Sequence, residues 1–111
     1  MSKFMILFKS TVSAAEQMQN ATPEEMKAGM QAWMTWKDNL PTAISFEWGL
    51  PLQSVNEVTA SEVQEGHSTV SGYAIMEGDK TAITEILTSH PHLVMSGSSI
   101  DVLEMLSMSG K

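Results

Sequence analysis

The chain has 111 residues, enough for one domain spanning 1–111, and no cysteine, which excludes disulfides, thiolate nucleophiles and cysteine metal sites. Its formal net charge is −7, from 13 acids against 6 bases, and every base is a lysine: Lys3, Lys9, Lys27, Lys37, Lys80 and Lys111. An acidic chain without arginine lacks the cationic contacts that nucleic-acid phosphates and anionic membranes require, so neither is an expected partner.

In chain order, residues 3–9, KFMILFK, form a first strand bounded by lysines. Phe4, Ile6 and Phe8 fall on one face, Met5 and Leu7 on the other. Both faces are apolar, so both are expected to be covered, one by helices and the other by a second subunit. The same FMILF run is too short for a signal peptide or a bilayer span, and the expected location is cytoplasmic. Residues 10–22 are small and polar, either loop or a short helical turn around Ala14–Met18.

Residues 23–39 carry the signals of a first main helix. Thr22 is the N-cap, Pro23 takes the first helical position, and Glu25 completes a capping box. Met26, Met30, Trp33, Met34 and Leu40 recur at helical spacing and are expected to be the buried stripe, with Trp36 and Lys37 on its flank; the alternative is an aromatic ligand platform made by Trp33 and Trp36. Pro41 ends the helix. The ten methionines serve either as adaptable core filler or as the lining of a pocket.

Residues 43–48, AISFEW, alternate: Ile44, Phe46 and Trp48 point one way, Ser45 and Glu47 the other. Gly49 and Pro51 are expected to break this strand. Residues 53–69 are polar, with room for a short strand or two. Residues 70–77, VSGYAIME, form the third main strand, with Ser71 and Tyr73 on the side of Glu47. Asp79 caps a second helix that runs to about Ser89, with Ala82, Ile83, Ile86 and Leu87 as its apolar face. Pro91 stops it, and a Gly/Ser loop leads to a last strand over 100–106.

The resulting order, β-α-β-β-α-β, predicts an α+β fold of ferredoxin-like type: one antiparallel sheet with two helices on one face, its open face paired with a second copy. The segments KFMILFKS, MQAWMTWKDNL, GLPL, VSGYAIMEGDK, HPHL and IDVLEML followed by Met108 together resemble the YCII-related family, in its DGPF-domain branch. The resemblance covers nearly the whole chain. It implies a dimeric α+β barrel with a cleft in each subunit and an activity that is largely undefined. Some members are thought to pair a histidine with an acid in that cleft. Here the first helix carries Met30 and Trp33 at that level, and Glu47 stands where relatives have an aspartate.

Two groups of residues could carry chemistry. His90 and His92 straddle Pro91; they either close the second helix, where a histidine suits the negative end of the helix dipole, or line a pocket, or hold a metal for which a third ligand is missing. Glu47, Ser45 and Tyr73 share the opposite face of the middle strands, and a buried glutamate near a histidine is a candidate acid or base. The catalytic candidates are therefore Glu47 and His90, and the ligand-binding candidates are Tyr73, His92, Trp33, Met30 and Ser45. No metal or resident cofactor is expected. The expected function is small-molecule binding by a homodimer with acid–base catalysis as an option; the alternative is a non-catalytic interaction domain.

Overall fold

The computed structural model describes residues 2–12 and 14–108. Strand β1 (Ser2–Lys9) leads to two helices, α1 (Ala14–Asn20) and α2 (Pro23–Asp38). Strands β2 (Ser45–Pro51), β3 (Asn56–Val58), β4 (Val63–Glu65) and β5 (Val70–Gly78) follow. Helix α3 (Lys80–Leu87), a 3-10 turn (Pro91–Val94) and strand β6 (Ser99–Glu104) complete the chain. Strands β2, β5, β1 and β6, in that order, form one sheet in which every pairing is antiparallel. This α+β arrangement is compatible with a ferredoxin-like fold. β3 and β4 make a separate hairpin whose residues are exposed, as their polar sequence requires.

The core lies between the sheet and the helices. Phe4, Ile6 and Phe8 of β1 meet Ala74 and Met76 of β5, with Ile44, and with Ile83 and Leu87 of α3 closing over them. The pairing Phe4↔Met76, Ile6↔Ala74 and Phe8↔Gly72 puts these side chains on one face, because alternate residues of a strand share a side. Each large apolar side chain buried here contributes about 1.5–3 kcal/mol.

Helix α2 starts as its sequence dictates. The Thr22 hydroxyl accepts from the Glu25 backbone N–H at 3.1 Å, and the Glu25 carboxylate accepts from the Thr22 N–H at 3.1 Å. Its buried side differs from the expected one. Met26, Met30 and Met34 are 41%, 68% and 55% exposed, and Trp33, Trp36 and Leu40 make the contact with the core instead. The contact stripe runs i, i+3, i+7 through the second half of the helix, so Trp36 belongs to its centre and the methionines to its edge.

Of the two alternatives for residues 10–22, the helical one is present as α1, and its Gln17 amide donates to the Val12 carbonyl at 2.8 Å. Two further boundaries depart from the expectation. Gly49 and Pro51 do not break β2, which continues through them with a register shift against β5. A Cβ at Gly49 would collide with the Tyr73 carbonyl oxygen and come within 2.6 Å of its ring, so only glycine lets β2 and β5 stay this close. The last strand starts at Ser99 and stops at Glu104, leaving Met105 and Leu106 outside the sheet and exposed.

Candidate functional site

Helix α3 ends at Leu87, and Thr88, Ser89 and His90 continue it by single i→i−3 bonds to Glu85, Ile86 and Leu87. Pro91 then holds His90 in extended backbone, φ −67° and ψ 137°, and starts the 3-10 turn. The His90 side chain caps that turn: its Nδ1 accepts the His92 backbone N–H at 3.0 Å. His92 turns the other way, with Nε2 2.8 Å from the Lys9 carbonyl oxygen at the end of β1, so Nε2 carries the proton and donates. The dipeptide step across Pro91 thus anchors two imidazoles by two different backbone groups.

Both rings enter an aromatic cluster between the sheet and α2. The His90 ring lies 5.0 Å from Phe8, 4.4 Å from Trp33 and 4.5 Å from Trp36, centre to centre. His92 packs edge-on to Phe8 at 5.3 Å. Phe46 and Trp48 of β2 extend the cluster, Phe46 against Trp36 at 5.5 Å and Trp48 stacked on Trp33 at 5.8 Å with 25° between planes. His90 is 1% exposed, whereas Trp48 is 45% exposed and forms the rim.

Burial sets the protonation of this site. Desolvation, with a smaller contribution from neighbouring His92, lowers the His90 pKa from 6.5 to about 4. His90 is therefore neutral at pH 7, and a positive imidazole at the negative end of α3 is not its role. With Nδ1 accepting, the single proton of the neutral ring sits on Nε2. That Nε2–H and the Trp36 Nε1–H are both buried, and no described residue accepts from either.

The candidates from the sequence divide between the two sides of the sheet. His90, His92 and Trp33 come together on the helix side; Met30 lies on α2 but is exposed. Glu47 and Ser45 alternate with Phe46 and Trp48, which contact α2, so they project from the open face and are exposed. Tyr73 is on that face too, half-buried across from Leu7 and against Gly49. The sheet itself separates Glu47 from His90, and the two do not form a pair within the chain.

One nitrogen of each histidine, His90 Nδ1 and His92 Nε2, is engaged by a backbone group. Among the described residues, no group of three His, Cys, Asp or Glu side chains could hold a metal ion. A pocket of about 490 Å³ opens at the other end of β1, lined by Ser2, Phe4, Pro41, Ile44, Asp79 and Glu104 among others, and holds none of the predicted site residues. Phe8, Phe46 and Trp48 are the cluster members that sequence reasoning missed as site residues, and Trp36 entered it only as the partner of Trp33 in an aromatic platform. The i, i+3 spacing of Trp33 and Trp36 and the alternation of Phe46 and Trp48 were the available signals.

The comparisons add no relative to this geometry. No family model matches the chain, and no curated protein matches it. No helix of the described residues is long and apolar enough to cross a membrane.

Proposed function

We propose that the chain is a small homodimeric protein of the YCII-related family, DGPF-domain branch, that binds a small molecule between α2 and the sheet. The observation that carries the binding reading is the stack of half-exposed Trp48 on Trp33 above the buried histidines. An aromatic rim open to solvent over a few polar groups is the usual make-up of a small-molecule site. Proton transfer is a weaker reading, because Glu47 and His90 lie on opposite faces and His90 titrates near 4.

The dimer reading rests on the open face. Met5 of β1 lies there between Ile75 of β5 and Leu103 of β6, with Leu7 next along β1 opposite Tyr73, and these side chains are only partly covered. A second copy packed sheet to sheet covers them and gives two ferredoxin-like subunits in an α+β barrel. The expected location is cytoplasmic.

The test of binding is a set of aromatic fragments at millimolar concentration, followed through the indole N–H signals of Trp33 and Trp48. Saturable shifts of both are expected. If no fragment moves them, the interior is filled by its own side chains and the protein is a non-catalytic interaction domain. Sedimentation of wild type and Leu7→Lys tests the dimer; the variant is expected to be monomeric at concentrations where wild type is dimeric.

A further inference from the structure

We infer that the ligand held at this cluster presents a neutral carbonyl oxygen to two buried donors, His90 Nε2–H and Trp36 Nε1–H. The inference rests on the binding reading above and names the chemistry of its ligand.

Three observations carry it. First, the tautomer is fixed by the backbone: His90 Nδ1 accepts from His92 N–H at 3.0 Å, which leaves the ring proton on Nε2. Second, His90 Nε2–H and Trp36 Nε1–H are both cut off from solvent, and no described residue accepts from them. Third, the two rings that carry these donors are neighbours, 4.5 Å apart with 63° between planes. Buried donors are paired in the great majority of proteins, and each unpaired one is costly. Two in one place, at the inner end of an aromatic cluster whose rim is exposed, leave the role of acceptor to something the chain does not supply.

The donors also choose the kind of acceptor. Both are uncharged at neutral pH. A carboxylate placed against two neutral donors and aromatic walls would give up its hydration without a counter-charge. A carbonyl accepts through two lone pairs and leaves no charge behind. The walls, Phe8, Trp33 and Trp48, suit a flat apolar body carrying that carbonyl.

The experiment compares acetophenone with ethylbenzene, which has nearly the same shape but no acceptor, and with benzoate, which carries a charged one. Nitrogen-15 spectra report His90 Nε2–H and Trp36 Nε1–H directly. The expected result is acetophenone binding at least about tenfold tighter than ethylbenzene, with both N–H signals moving downfield. Trp36→Phe, which keeps a ring and removes the N–H, is expected to shrink that difference several-fold. The comparison of ligands on wild type stands even if the variant does not fold.

Equal affinity for acetophenone and ethylbenzene would overturn the acceptor inference and leave the binding reading intact. Tightest binding by benzoate would overturn the neutral carbonyl. A long-lived water on Nε2–H that acetophenone does not displace would show that the donors serve water alone. If none of the three probes binds while other fragments shift Trp33 and Trp48, this inference fails by itself. If no fragment shifts them, both readings fail together.

Discussion

On the helix side of β1, Phe4, Ile6 and Phe8 are closed off from solvent; on the other side, Met5 and Leu7 of the same strand stay half-exposed. The residues are similar in apolarity, and the difference lies in what covers them. Two helices and the segment 88–95 close the first side. The second side holds a few charges at its edges, among them the Lys9–Asp101 ion pair at 3.2 Å, and an apolar middle. The chemistry follows the same division. Everything buried and polar near the predicted site, His90 above all, is on the helix side, while the acids and the tyrosine are on the open side.

The largest expected effect breaks the covered side. Phe8 touches Trp33, His90 and His92, so Phe8→Ala removes the floor of the cluster and is expected to cost about 3–5 kcal/mol in denaturant unfolding. Leu7→Ala, one residue away on the open face, is expected to cost under about 1.5 kcal/mol at concentrations where the chain is monomeric. Comparable losses for the two would mean that the faces are equally packed.

Next is pH. The folded pKa of His90 is depressed to about 4 from 6.5, so folding favours the neutral ring. The stability this gives is present in full above pH 6.5 and is lost as pH falls toward 4, on the order of 3 kcal/mol across that window. Unfolding free energies measured at pH 7, 5.5 and 4.5 are expected to fall in that order. His90→Asn, whose side-chain oxygen can take the His92 N–H, is expected to flatten the slope over this window. An unchanged slope in that variant would assign the pH dependence to other groups.

A smaller effect tests the seam between β2 and β5. Gly49→Ala forces a methyl into the Tyr73 carbonyl and ring, and is expected to destabilise by about 1–3 kcal/mol and to weaken protection of the β2 amides from hydrogen exchange. The smallest effect sharpens the reading of α2. Met30→Ala, at a position 68% exposed, is expected to change stability by no more than about 0.5 kcal/mol. Trp33→Ala, one turn on and packed on Phe8, His90 and Trp48, is expected to cost far more in the same thermal melts.

Much of the scaffold was legible in the residues. The alternation of Phe4, Ile6 and Phe8, the capping box at Thr22 and Glu25, the Asp79 cap and the stop at Pro91 all act locally, within one strand or one helical turn. The alternation of Ser45 and Glu47 with Phe46 and Trp48 was equally clear. The buried stripe of α2 was not, because Met26, Met30 and Met34 keep a helical period as well as Trp33, Trp36 and Leu40 do. Periodicity names the candidate stripes; the tilt and reach of the helix over the sheet choose between them.

The pairing of Glu47 with His90 failed for a related reason. Strand parity fixes that Glu47 and Trp48 point to opposite sides, but not which side receives the segment after α3. The sequence by itself determined the elements, their caps and the two-faced character of each strand, because those depend on neighbours a few residues away. Only the tertiary structure decided that His90 turns inward against Trp36 as a neutral ring whose Nδ1 accepts the His92 N–H, because its burial depends on Phe8, Trp33 and Trp36, more than fifty residues distant along the chain.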